Sequence, residues 1–356
     1  MDSLRQKANE LQDYLSANEL WREISSHKSL CSSNDYLGLR KDAEVREALS
    51  EGALRYGSGS GASPFLGGYC EAHECLAHEV CATLGVEKAL VFVSGYQANV
   101  AVGSLMRYLD ARVLCDEECH RSLFDGLVMN KVSFRRFEHN NVDQCRTKTG
   151  NVVCVEGLYS MSGSVGLLDD FSKLVLATKK CLIVDEAHSF GVLPVQQGTG
   201  HLRIITLGKS VGLSGAVIAG DTWMIEAIVQ SASSLRYSTA LSPALAHAAT
   251  VSIRKIKQET WRREQLMKHI AEIRSYAMRC NIPLEGNEQS PIQIIRIKHL
   301  SQPSELLKRL AKKELVVPVI RPPTVKNGEQ CFRLSITNHT DIFQVKAFLD
   351  CVQTCL

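Results

Sequence analysis

Short apolar runs lie along the middle of the chain: Ala89-Leu90-Val91-Phe92-Val93, Ala111-Arg112-Val113-Leu114, Val152-Val153-Cys154-Val155, Cys181-Leu182-Ile183-Val184, Ile204-Ile205-Thr206 and Gly215-Ala216-Val217-Ile218-Ala219. They are too short for helices and do not alternate apolar with polar residues, the pattern of strands buried on both faces. Helical patterns fill the intervals, so residues 75–240 are predicted to form an α/β domain with a largely parallel sheet and crossover helices. Beyond 241 the pattern changes to helices at 244–257 and 262–279, then strand-like segments at 292–297, 316–320 and 332–336, which reads as a smaller α+β domain. Leu4, Ala8, Leu11, Leu15 and Leu20 recur near the helical period, predicting an opening helix over 4–24. The expected division is an N-terminal helix and arm (1–35), a large α/β domain (36–240) and a small domain (241–356).

A chain of 356 residues, 45% hydrophobic and 22% charged, can bury a sizeable core. Its net charge of +3 is scattered, which argues against a nucleic-acid or membrane surface. No stretch approaches the roughly 20 apolar residues of a membrane span. Met1-Asp2-Ser3-Leu4-Arg5 opens no signal-peptide core, so a cytoplasmic location is expected and the sequon Asn338-His339-Thr340 reads as coincidental. The 13 cysteines, among them Cys31, Cys154 and Cys181 within apolar runs, read as reduced small hydrophobes.

Lys209 closes the run Ile204-Ile205-Thr206-Leu207-Gly208 among small residues, where lost hydration lowers an ammonium pKa and frees the amine to form a Schiff base. Asp185 ends the earlier run Cys181–Val184 and is placed to keep a pyridine nitrogen protonated. Either residue alone is ordinarily a solvated strand end; together they read as a pyridoxal phosphate site. Three other motifs fail on geometry. Gly208-Lys209-Ser210 lacks the P-loop glycine where Arg203 stands. Gly57-Ser58-Gly59-Ser60-Gly61-Ala62 follows no apolar strand, against a dinucleotide fingerprint. His73, Cys75, His78 and Cys81 include histidines five apart, which a helix does not bring to one face, so no metal site is expected.

Further motifs follow in order: Ser32-Ser33-Asn34-Asp35-Tyr36-Leu37-Gly38-Leu39, the glycine-rich Gly57 to Tyr69, Ser94-Gly95-Tyr96-Gln97-Ala98-Asn99, Cys119-His120-Arg121-Ser122-Leu123, Glu156-Gly157-Leu158-Tyr159-Ser160-Met161, Tyr237-Ser238-Thr239 and Ile320-Arg321-Pro322-Pro323-Thr324-Val325. In this order and spacing the chain resembles the α-oxoamine synthase family of fold-type-I pyridoxal phosphate enzymes, and within it the alanine-using, pimeloyl-condensing branch of biotin biosynthesis. The resemblance implies an aminotransferase-like fold with a mostly parallel sheet in the large domain, and a homodimer. It implies catalytic roles for Lys209, His120, Asp185 and His188. His120 would stack on the cofactor ring, Ser160 and His188 would bond its phenolic oxygen, and Ser94, Gly95, Tyr96 and Thr206 would hold its phosphate. Ser238 and Thr239 would reach the phosphate of the neighbouring protomer. Asn34, Arg333 and Arg22 would bind substrate, Arg333 gripping an α-carboxylate with its planar fork.

The implied reaction is decarboxylating condensation of an amino acid, L-alanine, with an acyl thioester, pimeloyl, to an amino ketone, Lys209 acting as general base. Sister enzymes using glycine or serine are the near alternative, and a non-catalytic regulatory subunit is the alternative of another class. The retained Lys209 stands against the latter, and Val211-Gly212-Leu213-Ser214-Gly215-Ala216 resembles the alanine branch. Residues 24–31 and the connection from Gly200 to Ile204 are shorter than the family pattern, which bears on the acyl donor rather than on the reaction.

Overall fold

The computed structural model of the protein describes residues 2–18, 20–22, 24, 29–196 and 199–356. Strands β1 (Lys88–Phe92), β2 (Arg112–Asp116), β3 (Ser133–Phe137), β4 (Val152–Glu156), β5 (Cys181–Asp185), β6 (Leu202–Thr206) and β7 (Ala216–Gly220) form one sheet in the order β1-β7-β6-β5-β4-β2-β3. The pairs from β3 through β6 are parallel, while β7 runs antiparallel to both β6 and β1. The sheet is therefore mostly parallel, as the apolar runs predict. Every residue of β4 and β7 is buried, which is why their sequences do not alternate.

Helices cover both faces. Gly95–Tyr108 and Arg121–Met129 pack Ala98, Val102, Leu105 and Leu123 against Phe92, Val113, Ile204 and Ile218. On the other face Leu168–Thr178 packs Phe171 and Leu174 on Val153 and Val184, while Glu71–Leu84 and Pro243–Gln258 meet Val217 and Ala219. Crossover helices on both faces of a parallel sheet leave its strand ends free for a site.

A second sheet, β8 (Ile292–Arg296), β9 (Val319–Ile320) and β10 (Cys331–Ser335), is antiparallel in the order β8-β10-β9. Its core joins Ile294, Phe332 and Leu334 to Leu266 and Ile270 of helix Trp261–Arg279 and Phe348 of helix Ile342–Gln353, and also to Tyr36, Leu37 and Leu39.

The opening helix is Asp2–Ala17 and stops short of residue 24, with Leu4 and Leu11 exposed. Leu15 and Leu20 are half-buried, while Leu4 and Leu11 join no core among the described residues. Residues 25–28 of the shortened segment lie outside the described residues. Gly57–Ala62 follows helix Ala43–Tyr56 rather than a strand. His73 is buried, its Nε2 2.7 Å from Leu241 O and its Nδ1 accepting Cys70 N–H at 3.1 Å, which makes it a packed structural residue. Among the described residues no group of three His, Cys, Asp or Glu could hold a metal ion. All 13 cysteines are free thiols. Asn338 of the sequon is buried, donating Nδ2 to Leu37 O at 2.9 Å.

Candidate active site

A cavity of about 200 Å³ opens at the carboxyl ends of β4, β5 and β6, lined by Gly95, Tyr96, Asn99, His120, Ser122, Glu156, Asp185, Ala187, His188, Thr206 and Lys209. Glu156, Asp185 and Thr206 are the last residues of their strands. Thr206 and Lys209 would face opposite ways on a continuous strand; β6 ends at Thr206 and a turn begins at Leu207, so both reach the same space. A larger cavity of about 850 Å³ lies against helix Trp261–Arg279, but none of the predicted site residues lines it.

Lys209 is half-buried, and desolvation lowers its pKa, opposed by the charges of Asp185 and Glu156 and assisted by Arg333. Asp185 is buried, its Oδ1 accepting Ala187 N–H at 2.9 Å and its Oδ2 accepting Asn99 Nδ2 at 3.1 Å. Glu156, fully inside, is pushed well above the usual carboxyl range by burial and then by the neighbouring Asp185 charge, while it accepts the His120 N–H. Burial, then Lys209, Arg333 and His120, hold His188 well below the usual imidazole value, and its Nδ1 lies 2.7 Å from the Tyr36 hydroxyl. Behind Asp185, the buried Arg203 donates Nε to Glu186 Oε1 at 2.6 Å and Nη1 to Gln196 O at 2.9 Å. The residue that breaks the P-loop pattern thus braces the strand carrying Asp185.

The helix Gly95–Tyr108 points its N-terminus at the cavity. Ser94 caps it by accepting Gln97 N–H at 3.1 Å, while Gln97 Oε1 accepts Val93 N–H at 2.8 Å. The N–H groups of Gly95 and Tyr96 have no intrahelical acceptor, so they and the helix dipole favour an anion there. A Cβ on Gly95 would meet Thr206 Cγ2 at 2.5 Å, so a larger residue there would displace the Thr206 side chain.

Other predicted residues lie around this centre. Arg333 of β10 donates Nε to Ser160 O at 2.7 Å and Nη1 to Ser335 Oγ at 2.6 Å, with Asn34 Oδ1 at 3.5 Å. Asn34 also accepts the Tyr36 hydroxyl at 3.2 Å, joining Arg333 to His188 through a polar chain. Ser160 contributes its carbonyl to that chain and does not line the cavity. Arg22 is exposed and bonds Pro322 O at 3.4 Å and Thr324 Oγ1 at 3.2 Å, not a cavity residue. Thr239 is exposed, Ser238 half-buried, and neither lines the cavity. Asn99, Ser122 and Glu156 line it without being singled out as site residues by the sequence reading. The available signals were position: Asn99 falls one helical turn after Gly95, Ser122 two residues after His120, and Glu156 at a strand end.

The description "Aminotransferase class I and II" matches the chain over residues 27–347. The chain belongs to that family. The family's cofactor is pyridoxal phosphate, and this aminotransferase-family cavity fits it. A space of about 200 Å³, below the roughly 300–1,000 Å³ of drug-sized pockets, suits one ring with a short arm, and it offers an amine, a carboxylate and a helix N-terminus. Among curated relatives the chain is similar to 8-amino-7-oxononanoate synthase of Vibrio cholerae, 36% identical over 86% of this chain and 82% of the relative. The corresponding synthase of Alcanivorax borkumensis is 34% identical over 91% and 88%. Among solved structures, 8-amino-7-oxononanoate synthase of Francisella tularensis superposes with a TM-score of 0.79 at 25% identity, over 93% of this chain and 98% of that one. Serine palmitoyltransferase of Sphingomonas wittichii superposes with a TM-score of 0.86 at 23% identity, over 98% and 96%, and so shares the fold.

Proposed function

We propose that the protein condenses L-alanine with a pimeloyl thioester, with loss of carbon dioxide, to give 8-amino-7-oxononanoate. The observation that carries this reading is the meeting of a desolvated Lys209 with Asp185 in one cavity at the sheet's carboxyl end. The curated relatives of this name support the choice of substrates.

Bound pyridoxal phosphate supplies the electron sink that makes an amino acid's α-carbon acidic. Lys209 is the amine that would hold the cofactor and, once freed, would take the α-proton, a role that its lowered pKa suits. Asp185, its carboxyl oxygens fixed by two donors, would face the ring nitrogen. His120 would cover the ring face, and Thr206 with the Gly95 and Tyr96 amides would hold the phosphate. Arg333, with Asn34 beside it, grips the α-carboxylate; two of its nitrogens are already oriented by Ser160 and Ser335. Ser238 and Thr239, outside the cavity of their own chain, serve the phosphate of a second protomer, making the homodimer the active form. Arg22 acts at the substrate mouth beside Thr324. The division at 35/36 and 240/241 and a cytoplasmic location belong to the same reading; among the described residues no helix is long and apolar enough to cross a membrane.

Borohydride reduction of the yellow holoenzyme followed by peptide mapping should place the cofactor on Lys209, and alanine with a pimeloyl thioester should release thiol. Label on a different lysine would end this reading, and thiol release only with glycine or serine would move the protein to a sister activity.

A further inference from the structure

Asn99 and Ser122 form a continuous hydrogen-bonded link between two other residues of the cavity, Asp185 and His120. Asn99 Nδ2 donates to Asp185 Oδ2 at 3.1 Å and to Ser122 Oγ at 3.0 Å. Ser122 Oγ is 2.7 Å from His120 Nδ1, and the Ser122 backbone N–H also points at Nδ1, at 3.3 Å. All four side chains line the cavity.

The direction of each bond is fixed by elimination. Asp185 presents an acceptor oxygen, so the Asn99 amide must turn its NH₂ toward it; the flipped amide would set two acceptors against each other. That orientation leaves Asn99 Oδ1 buried with no partner, an arrangement that is retained only if the Asp185 bond outweighs it. The Ser122 backbone N–H can only donate, which makes Nδ1 the acceptor, so the Ser122 hydroxyl, accepting from Asn99 on one lone pair, turns its hydrogen to His120. His120 Nδ1 therefore receives two donors, one hydroxyl and one backbone amide, and cannot itself carry a proton.

We propose that Asn99 and Ser122 are positioning residues that hold His120 as the neutral tautomer protonated at Nε2 and hold Asp185 with one oxygen fixed. The functional consequence rests on the reading of this cavity as the cofactor site: a neutral imidazole would cover the ring without adding a positive charge beside it, while Asp185 is oriented by the same link. The groups facing His120 are Asp185, Asp125, Lys209 and His188, with Glu156 bonded to its backbone N–H. Burial and Lys209 lower the His120 pKa against Asp185 and Asp125, in the direction the two donors at Nδ1 also favour.

The test is ¹⁵N NMR of histidine-labelled holoenzyme, with His120 assigned by loss of its signals in His120→Gln. The parent should show a pyridine-type Nδ1 and a protonated Nε2 above the titration midpoint. Ser122→Ala should give a tautomer mixture and raise the midpoint by about one pH unit, a tenfold gain in proton affinity. Ser122→Thr, which keeps the hydroxyl, should restore the parent pattern, and Asn99→Ala should shift it in the same direction as Ser122→Ala. A proton on Nδ1 in the parent, or unchanged tautomer and midpoint in both alanine variants with native circular dichroism, would overturn the proposal. Failure to bind pyridoxal phosphate would instead sink the functional reading, because the tautomer can be read in the same chain without it.

Discussion

Glu156 and Asp185 end neighbouring parallel strands in register, side by side in one cavity, yet the chain treats the two carboxyl groups differently. Asp185 is met by two donors, from Ala187 and Asn99, whereas burial and then the Asp185 charge push Glu156 well above the usual range. Two acids held in such different surroundings can take separate roles in one site. Burial favours the neutral form of Glu156 over its carboxylate.

Replacing Asp185 with asparagine keeps the shape but removes the carboxyl group. Folding by circular dichroism should be unchanged, and α-proton exchange of alanine should fall by about 10²–10³-fold, the usual effect of deleting one electrostatic contact at developing charge. Equal exchange in variant and parent would make Asp185 a structural residue.

Arg333→Ala removes the fork bonded to Ser160 and Ser335. A spectrophotometric titration with alanine should show at least tenfold weaker binding, equivalent to about 1.4 kcal/mol. The parent should bind alanine more tightly than glycine or serine. An unchanged alanine constant in the variant would take Arg333 out of the substrate site.

Co-expression of a Lys209→Ala chain with a Ser238→Ala, Thr239→Ala chain tests whether sites are shared. Isolated heterodimers should carry one doubly damaged and one intact site, hence about half the parent activity per dimer. Inactive heterodimers that still bind the cofactor would mean that each site is built from a single chain.

A pH effect on stability is expected at Asp116 and His139, at the ends of β2 and β3. His139 Nδ1 is 3.1 Å from Asp116 Oδ1, and Asp116 also accepts the Tyr159 hydroxyl at 2.9 Å. Burial opposes both charges, but their mutual bond and the nearby amides and acids leave His139 raised and Asp116 lowered. The His139 contribution is full below its unfolded value of about 6.5 and fades as pH rises through the folded one; that of Asp116 is full above about 3.9 and fades as pH falls. His139→Gln should therefore cost most between about pH 4 and 6.5, on the order of 1.5–3 kcal/mol, and less at pH 9. Thermal unfolding with equal losses at pH 5.5 and 9 would mean that His139 acts by packing alone.

Much of the sheet was legible because burial on both faces leaves a sequence mark. β3 was not, since Ser133-Phe134-Arg135-Arg136-Phe137 lies at the sheet edge and only Phe137 is buried. Nor could apolar character reveal that β7 runs antiparallel, because strand direction leaves no trace in it. In the site, Lys209 and Asp185 announced themselves by following apolar runs. Asn99 and Ser122 did not, because their importance lies in which atoms they face across the cavity, and that depends on how two helices start over the sheet. The opening helix shows the converse: periodic Leu4 and Leu11 promise a buried face that this chain does not provide.

The reversed direction of β7 has a mechanical consequence for Lys209. A parallel neighbour would need a crossover of a dozen or more residues, whereas here the chain turns straight back from Thr206 to Ala216. The neck of that return is stitched by Leu207 N–H to Gly215 O at 2.9 Å and Leu213 N–H to Leu207 O at 2.8 Å, with Gly212 N–H closing on Lys209 O at 2.9 Å. The lysine rides on a short clamped bight whose two ends are both sewn into the sheet. Its backbone is held at both ends, so if Lys209 serves as the proposed cofactor lysine, any swing of its amine would fall to the four methylenes of the side chain.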